Sequence, residues 1–92
     1  MSFLMVHFWP GGTEEQYRAM VEVLHPGGVL PEGQVHHIAG PTDGGFLISA
    51  LWDTPEHAEA FGAHIQSVMP IAGGFAGPPE ARVAPAVADV TA

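Results

Sequence analysis

The sequence predicts an α+β domain built in the order β-α-β-β-α-β. Three observations carry that prediction. Two helix-start signatures each follow an apolar strand pattern. Clusters of glycine and proline separate the segments. The first and third strands are apolar on both faces, so each needs cover from both sides.

The first strand spans Ser2 to Trp9. Phe3, Met5, His7 and Trp9 share one face and Leu4, Val6 and Phe8 the other. Pro10-Gly11-Gly12 ends it. A helix follows from Thr13 to His25. Thr13 and Gln16 have capping-box spacing, and Glu14 and Glu15 sit where the helix dipole favours anions. Tyr17, Met20, Val21 and Leu24 recur at the spacing of one buried face. Pro26-Gly27-Gly28 stops the helix, and Val29 to Gly33 is a loop.

Gln34 to Ala39 predicts a second, more polar strand. The turn residues Gly40 to Gly45 join it as a hairpin to a third strand, Phe46 to Trp52. Asp53-Thr54-Pro55-Glu56 then starts a second helix. Thr54 is its cap, Pro55 fits the first turn, and Glu56 suits the dipole. This helix runs to about Met69, with Ala58, Phe61, Ile65 and Val68 on its core face. Met69 to Pro79 is a glycine- and proline-rich loop, and Ala81 to Val90 is the last strand. Pro85 cannot donate to a ladder, which places it at an edge or a bulge.

This order is the ferredoxin-like split βαβ arrangement: a four-stranded antiparallel sheet with two helices on one face. Residues 1–92 form one domain. The helices cover one sheet face. The other would be a bare apolar surface, and the expected cover is the sheet of a second copy, making a homodimer.

Composition narrows the function. Ten acidic residues against two arginines, Arg18 and Arg82, give a net charge of −8. That balance offers no footprint for nucleic acid or an anionic membrane. No apolar run approaches the roughly 20 residues of a membrane span. The first nine residues carry no basic start, so they are expected to be a strand rather than a signal, in a cytoplasmic protein. With no cysteine there is no disulfide, thiolate metal site or cysteine nucleophile. No phosphate-binding, dinucleotide-binding or zinc-protease motif is present, and no cofactor or metal is expected.

Six histidines in 92 residues are the chemical signal. His7 lies mid-strand among Phe3, Met5 and Trp9, where it needs a partner or a cavity. It is a candidate general base, or a group that orients a carbonyl. His36 and His37 point to opposite faces, with His37 favoured inward in phase with Val35 and Ala39. His57 and His64 share a flank of the second helix, too far apart for a helical zinc pair. His64, deeper in the helix, is the second acid/base candidate. His25, near the end of the first helix, suits the dipole there. Tyr17, the only tyrosine, offers a hydroxyl to a pocket or packs in the core.

The strand FLISALW followed by DTPEHAEAF resembles the strand-Trp-turn-helix signature of antibiotic biosynthesis monooxygenase-like domains of the dimeric α/β barrel superfamily. The opening strand ending in Pro-Gly-Gly and the helix TEEQYRAMVEVLHP fit the same pattern. The resemblance implies a pocket between sheet and helices, lined by Trp52. The oxygenases and haem-degraders of that family typically use an asparagine on the first strand. This chain has no asparagine, and Met5 and His7 are the nearest inward residues.

Two classes of function follow as expectations. One is a cofactor-independent monooxygenase, or a cyclase or isomerase, acting on an apolar aromatic or polyketide-like substrate. His7 or His64 would be its acid/base, and Trp52, Tyr17, His37, Phe61 and Met5 would shape the pocket. The other is a homodimer that binds a small apolar ligand without turning it over, or has a filled core and a structural role.

Overall fold

The computed structural model describes residues 2–91. The element order is β1 (Phe3–Pro10), α1 (Glu14–Leu24), β2 (Gln34–Thr42), β3 (Gly45–Trp52), α2 (Pro55–Val68) and β4 (Glu80–Pro85). The four strands form one antiparallel sheet in the order β2-β3-β1-β4. This is the ferredoxin-like arrangement expected from the sequence.

Local chemistry fixes the helix ends. The Gln16 amide donates to the Thr13 hydroxyl at 3.1 Å, and the Thr13 amide donates back to the Gln16 side chain at 3.0 Å. This closes the capping box and satisfies two otherwise free amides. In α2 the His57 amide donates to the Thr54 hydroxyl at 3.2 Å, with Pro55 in the first turn.

Register sets the two sheet faces. Met5 faces Ala50, His7 faces Ile48 and Trp9 faces Phe46 across β1 and β3. His37 faces Ala50 from β2, and Val83 and Ala81 oppose Met5 and His7 from β4. These residues form the helix side. On the other side Leu4 pairs with Leu51 and Phe8 with Leu47, and Ile38 is 70% exposed. A bulge at Gln34/His36 shifts β2 by one residue. Val35 is therefore exposed and out of phase with His37, while Ala39 stays in phase.

Two element boundaries differ from the sequence expectation by more than one residue. The hairpin turn needs only Asp43 and Gly44, the latter at φ +82°, so β2 continues through Gly40 and Pro41 to Thr42. The last strand stops at Pro85 instead of Val90. Its final sheet contact is the Ala86 amide to the Ser2 carbonyl at 2.9 Å.

The core has two parts. Met20, Phe46 and Phe75 form one, with Phe46 2% exposed. Ala50, Trp52 and Ala58 form the other. Phe75 comes from the loop between α2 and β4 and stacks on Trp9 with ring centroids 4.5 Å apart. At the far end the Asp53 amide bonds the Gly33 carbonyl at 2.8 Å, tying the loop before β2 to the start of α2.

Candidate active site

Between the sheet and the two helices lies a cavity of about 180 Å³. β1 contributes Met5, His7 and Trp9; β2 contributes Gln34 and His37; β3 contributes Ile48, Ala50 and Trp52. From α1 come Tyr17, Met20, Val21 and Leu24, with His25 at its end; from α2 come Ala58, Phe61, Gly62 and Ile65. Phe75 closes part of the wall. The lining contains no lysine, arginine or carboxylate. An empty apolar cavity of about 150 Å³ holds a benzene ring, so this space suits a neutral aromatic of one or two rings.

Four titratable side chains converge there. The Tyr17 hydroxyl lies 2.6 Å from His37 Nε2, and His37 Nδ1 lies 3.2 Å from Gln34 Oε1. The Gln34 carbonyl oxygen can only accept, so this arrangement matches a His37 with its proton on Nδ1 and a bare Nε2 that accepts from Tyr17. The Tyr17 ring also stacks on Phe46 at 4.9 Å. His25 stands edge-on to His37 at 4.9 Å and stacks on Phe61 at 5.5 Å. His7 lies on β1, two strands away from His37 and two residues further along, about 12 Å between the backbones, with β3 between.

Burial makes all three cavity histidines poor cation holders. It pushes His7 below its ordinary value. It pushes His37 down too, helped by the neighbouring His25. His25 is likewise lowered by burial, an effect opposed by the Val29 backbone. Burial pushes Tyr17 up, against the nearby Arg18. At neutral pH the site therefore holds neutral imidazoles and a neutral phenol, a set that can accept protons without a permanent charge.

Two buried polar atoms have no hydrogen-bond partner among the described residues: Trp9 Nε1 and His25 Nδ1. Each such atom costs about 1–3 kcal/mol of stability. Both belong to residues in the cavity wall.

Of the residues singled out from the sequence, Met5, His7, Tyr17, His37, Trp52 and Phe61 all line this space. Trp52 does so while only 3% exposed, tilted against Phe61 at 5.6 Å. His64 does not line it. The cavity face of α2 runs through Ala58, Phe61, Gly62 and Ile65, and His64 lies about a third of a turn away, exposed. His57 shares that flank. Its Nδ1 lies 2.7 Å from Asp53 Oδ1 and its Nε2 3.4 Å from Glu32 Oε1, and these partners raise its pKa. His25 is the residue the sequence reading missed. It follows Val21 by four residues, so the helix periodicity carries it onto the face of Tyr17 and Leu24. Phe75 was missed as well, because a loop has no periodicity to reveal which side chain turns inward. Among the described residues no group of three or more histidine or acidic side chains is arranged to hold a metal ion. Among the described residues no helix is long and apolar enough to cross a membrane.

No protein-family model and no curated protein sequence matches the chain. Solved structures do. An antibiotic biosynthesis monooxygenase-type protein from Chloroflexus aurantiacus superposes with a TM-score of 0.67 at 17% identity, over 99% of this chain and 98% of that one. The ActVA-Orf6 monooxygenase of Streptomyces coelicolor, solved with nanaomycin D bound, gives 0.53 at 16% identity, over 99% and 91%. The chain thus has the fold of the antibiotic biosynthesis monooxygenases along nearly its whole length.

Proposed function

We propose that the protein is a small-molecule enzyme that moves a proton on a neutral aromatic or polyketide-like ketone or phenol. One observation carries this reading: an apolar cavity with no fixed charge into which His7, Tyr17, His25 and His37 converge. A purely structural core has little use for four titratable groups and two unpartnered polar atoms. The structural likeness to a monooxygenase holding nanaomycin D supports the choice of an aromatic ligand.

The shared first step is loss of a C–H or O–H proton beside a carbonyl or aromatic ring. His7, neutral through burial, takes the proton or hydrogen-bonds the carbonyl oxygen. The resulting electron-rich anion then has two fates. With dioxygen as co-reactant it is oxygenated, a CH₂ group and O₂ giving a C=O group and water. Without dioxygen it cyclises or takes the proton back at another atom. Trp52, Phe61 and Met5 exclude water from the anion and hold the ring.

We also propose that a second copy of the chain covers the outer sheet face. Leu4, Ile38 and Leu47 there are 37%, 70% and 41% exposed, and the cover would make a dimer with its sheets face to face.

The test uses 2-tetralone, a neutral two-ring ketone with an acidic CH₂ group, in D₂O under nitrogen. Proton NMR follows deuterium entering that group. The wild type is expected to accelerate exchange, and His7→Leu to lose about 10²-fold of it while still binding the ketone. Oxygen uptake on admitting air separates oxygenase from cyclase or isomerase. Binding without exchange would favour a non-catalytic ligand carrier instead, and that result would overturn the enzyme reading.

A further inference from the structure

We infer that Tyr17, backed by His37 and Gln34, is the proton-accepting group of the cavity, and that His7 faces it as the group that holds the substrate oxygen. This rests on reading the cavity as catalytic. It adds a three-residue relay and divides the labour between the two sides of the site.

The geometry gives the relay its direction. Gln34 Oε1 fixes the His37 proton on Nδ1, so Nε2 presents a lone pair to the Tyr17 hydroxyl 2.6 Å away. Tyr17 therefore donates its own proton to His37 and turns oxygen lone pairs toward the cavity that its side chain lines. A tyrosine oriented this way can only accept from a ligand. Tyrosine alone is a weak base at neutral pH, but one whose proton can leave for an imidazole borrows the basicity of that imidazole. When the substrate C–H bond breaks, its proton goes to Tyr17 Oη. The Tyr17 proton goes to His37 Nε2, and the electron pair stays on the substrate as an enolate. The new imidazolium keeps its Nδ1–H bond to Gln34 Oε1. Reversal returns a proton to the substrate.

The surroundings keep the relay neutral at rest and limit it to one charge. His25 on the end of α1 and His7 on β1 are the other titratable groups facing it, and no carboxylate or guanidinium lines the cavity. Arg18 is turned outward to Glu14 at 2.8 Å. Arg82 pairs in register with Val6 on the outer sheet face. His25, 4.9 Å from His37, opposes a second positive charge beside it. Diagonally across the sheet, about 12 Å away between the backbones, the neutral His7 imidazole can donate to a carbonyl at the far end of a two-ring ligand.

The same exchange of 2-tetralone tests this assignment. Tyr17→Phe keeps the ring and its packing on Phe46 but removes the accepting oxygen. It is expected to slow exchange by about 10²-fold or more, with ketone binding unchanged. The wild-type rate should fall in acid as His37 takes a proton. Gln34→Leu should lower the pH midpoint of that fall, because the imidazolium loses its acceptor. Nitrogen-15 spectra of labelled histidine report the tautomer without any turnover, and His37 should carry its proton on Nδ1. Exchange by Tyr17→Phe at the wild-type rate would overturn the relay and leave the catalytic reading intact. A His37 protonated on Nε2 would overturn the relay in the same way. Ketone bound by the wild type without exchange would overturn both.

Discussion

Replacing His25 with phenylalanine should make the protein more stable, and increasingly so in acid. His25 is 6% exposed, sits between Phe61 and His37, and leaves Nδ1 without a partner. Removing a buried unpaired nitrogen is worth about 1–3 kcal/mol. Phenylalanine preserves the stacking on Phe61 but adds a little volume in a packed region, and it loses the Val29 backbone interaction. The net gain at pH 7.5 should be about 1 kcal/mol, or about 4–8 °C in Tm for a domain of this size. The pH dependence follows from the lowered pKa. The unfolded chain takes up a proton at His25 near 6.5, while the folded protein resists until lower pH. Above 6.5 the native state bears no such disadvantage. Below it the wild type loses up to about 1.4 kcal/mol per pH unit at this one site. The advantage of His25→Phe should therefore widen between pH 7.5 and 5.5, by at most about 1.4 kcal/mol. Urea unfolding of both proteins at equal concentration, at each pH, measures it. A variant less stable than the wild type at pH 7.5, or a difference flat with pH, would refute the account of His25 as a histidine the fold tolerates at a cost.

Other expectations concern the core, the surface and the outer face. Phe46→Ala empties the most buried side chain of the larger core cluster and should cost about 3–5 kcal/mol in urea unfolding; a loss below 1 kcal/mol would mean the site collapses freely. His57→Ala should destabilise more at pH 5.5 than at pH 8.5. The raised His57 pKa gives a contribution fully present below 6.5 and lost as pH rises through the folded value, and equal effects at both pH values would contradict the Asp53 and Glu32 contacts. Leu47→Glu places a charge on the exposed apolar sheet face. It should shift a dimer to monomer in light scattering, with far-UV dichroism unchanged; a wild type that is already monomeric would defeat the sheet-to-sheet proposal.

The fold was legible because local chemistry and global arrangement agree. Thr13 with Gln16, and Thr54 with Pro55, mark helix starts that form as their side chains dictate. The alternation of Phe3, Met5, His7 and Trp9 fixed the inner face of β1, and Tyr17, Met20, Val21 and Leu24 fixed that of α1. The site was harder to read. The sequence favours His64 for its depth along α2, but depth in a helix does not decide which way a side chain faces; its phase against Phe61 and Ile65 does. The sequence places His25 at a helix terminus, yet its phase with Val21 carries it inward. Nothing local predicts that His37 meets Tyr17, because that contact joins residues 20 apart in the chain, and only the bulge in β2 brings Gln34 onto the same sheet face as His37. Nor could a one-dimensional pattern show that Phe75 leaves a loop to stack on Trp9.

The central claim is that these side chains surround space a neutral aromatic can enter. Titrating 2-tetralone into protein labelled at the methionine methyls and histidine rings tests it most directly. The account predicts saturable shifts at Met5, Met20, His7 and His37, all in the cavity wall, and none at His36 or His64. An absence of shifts at saturating ketone, or shifts centred on His36 and the outer sheet face, would contradict it.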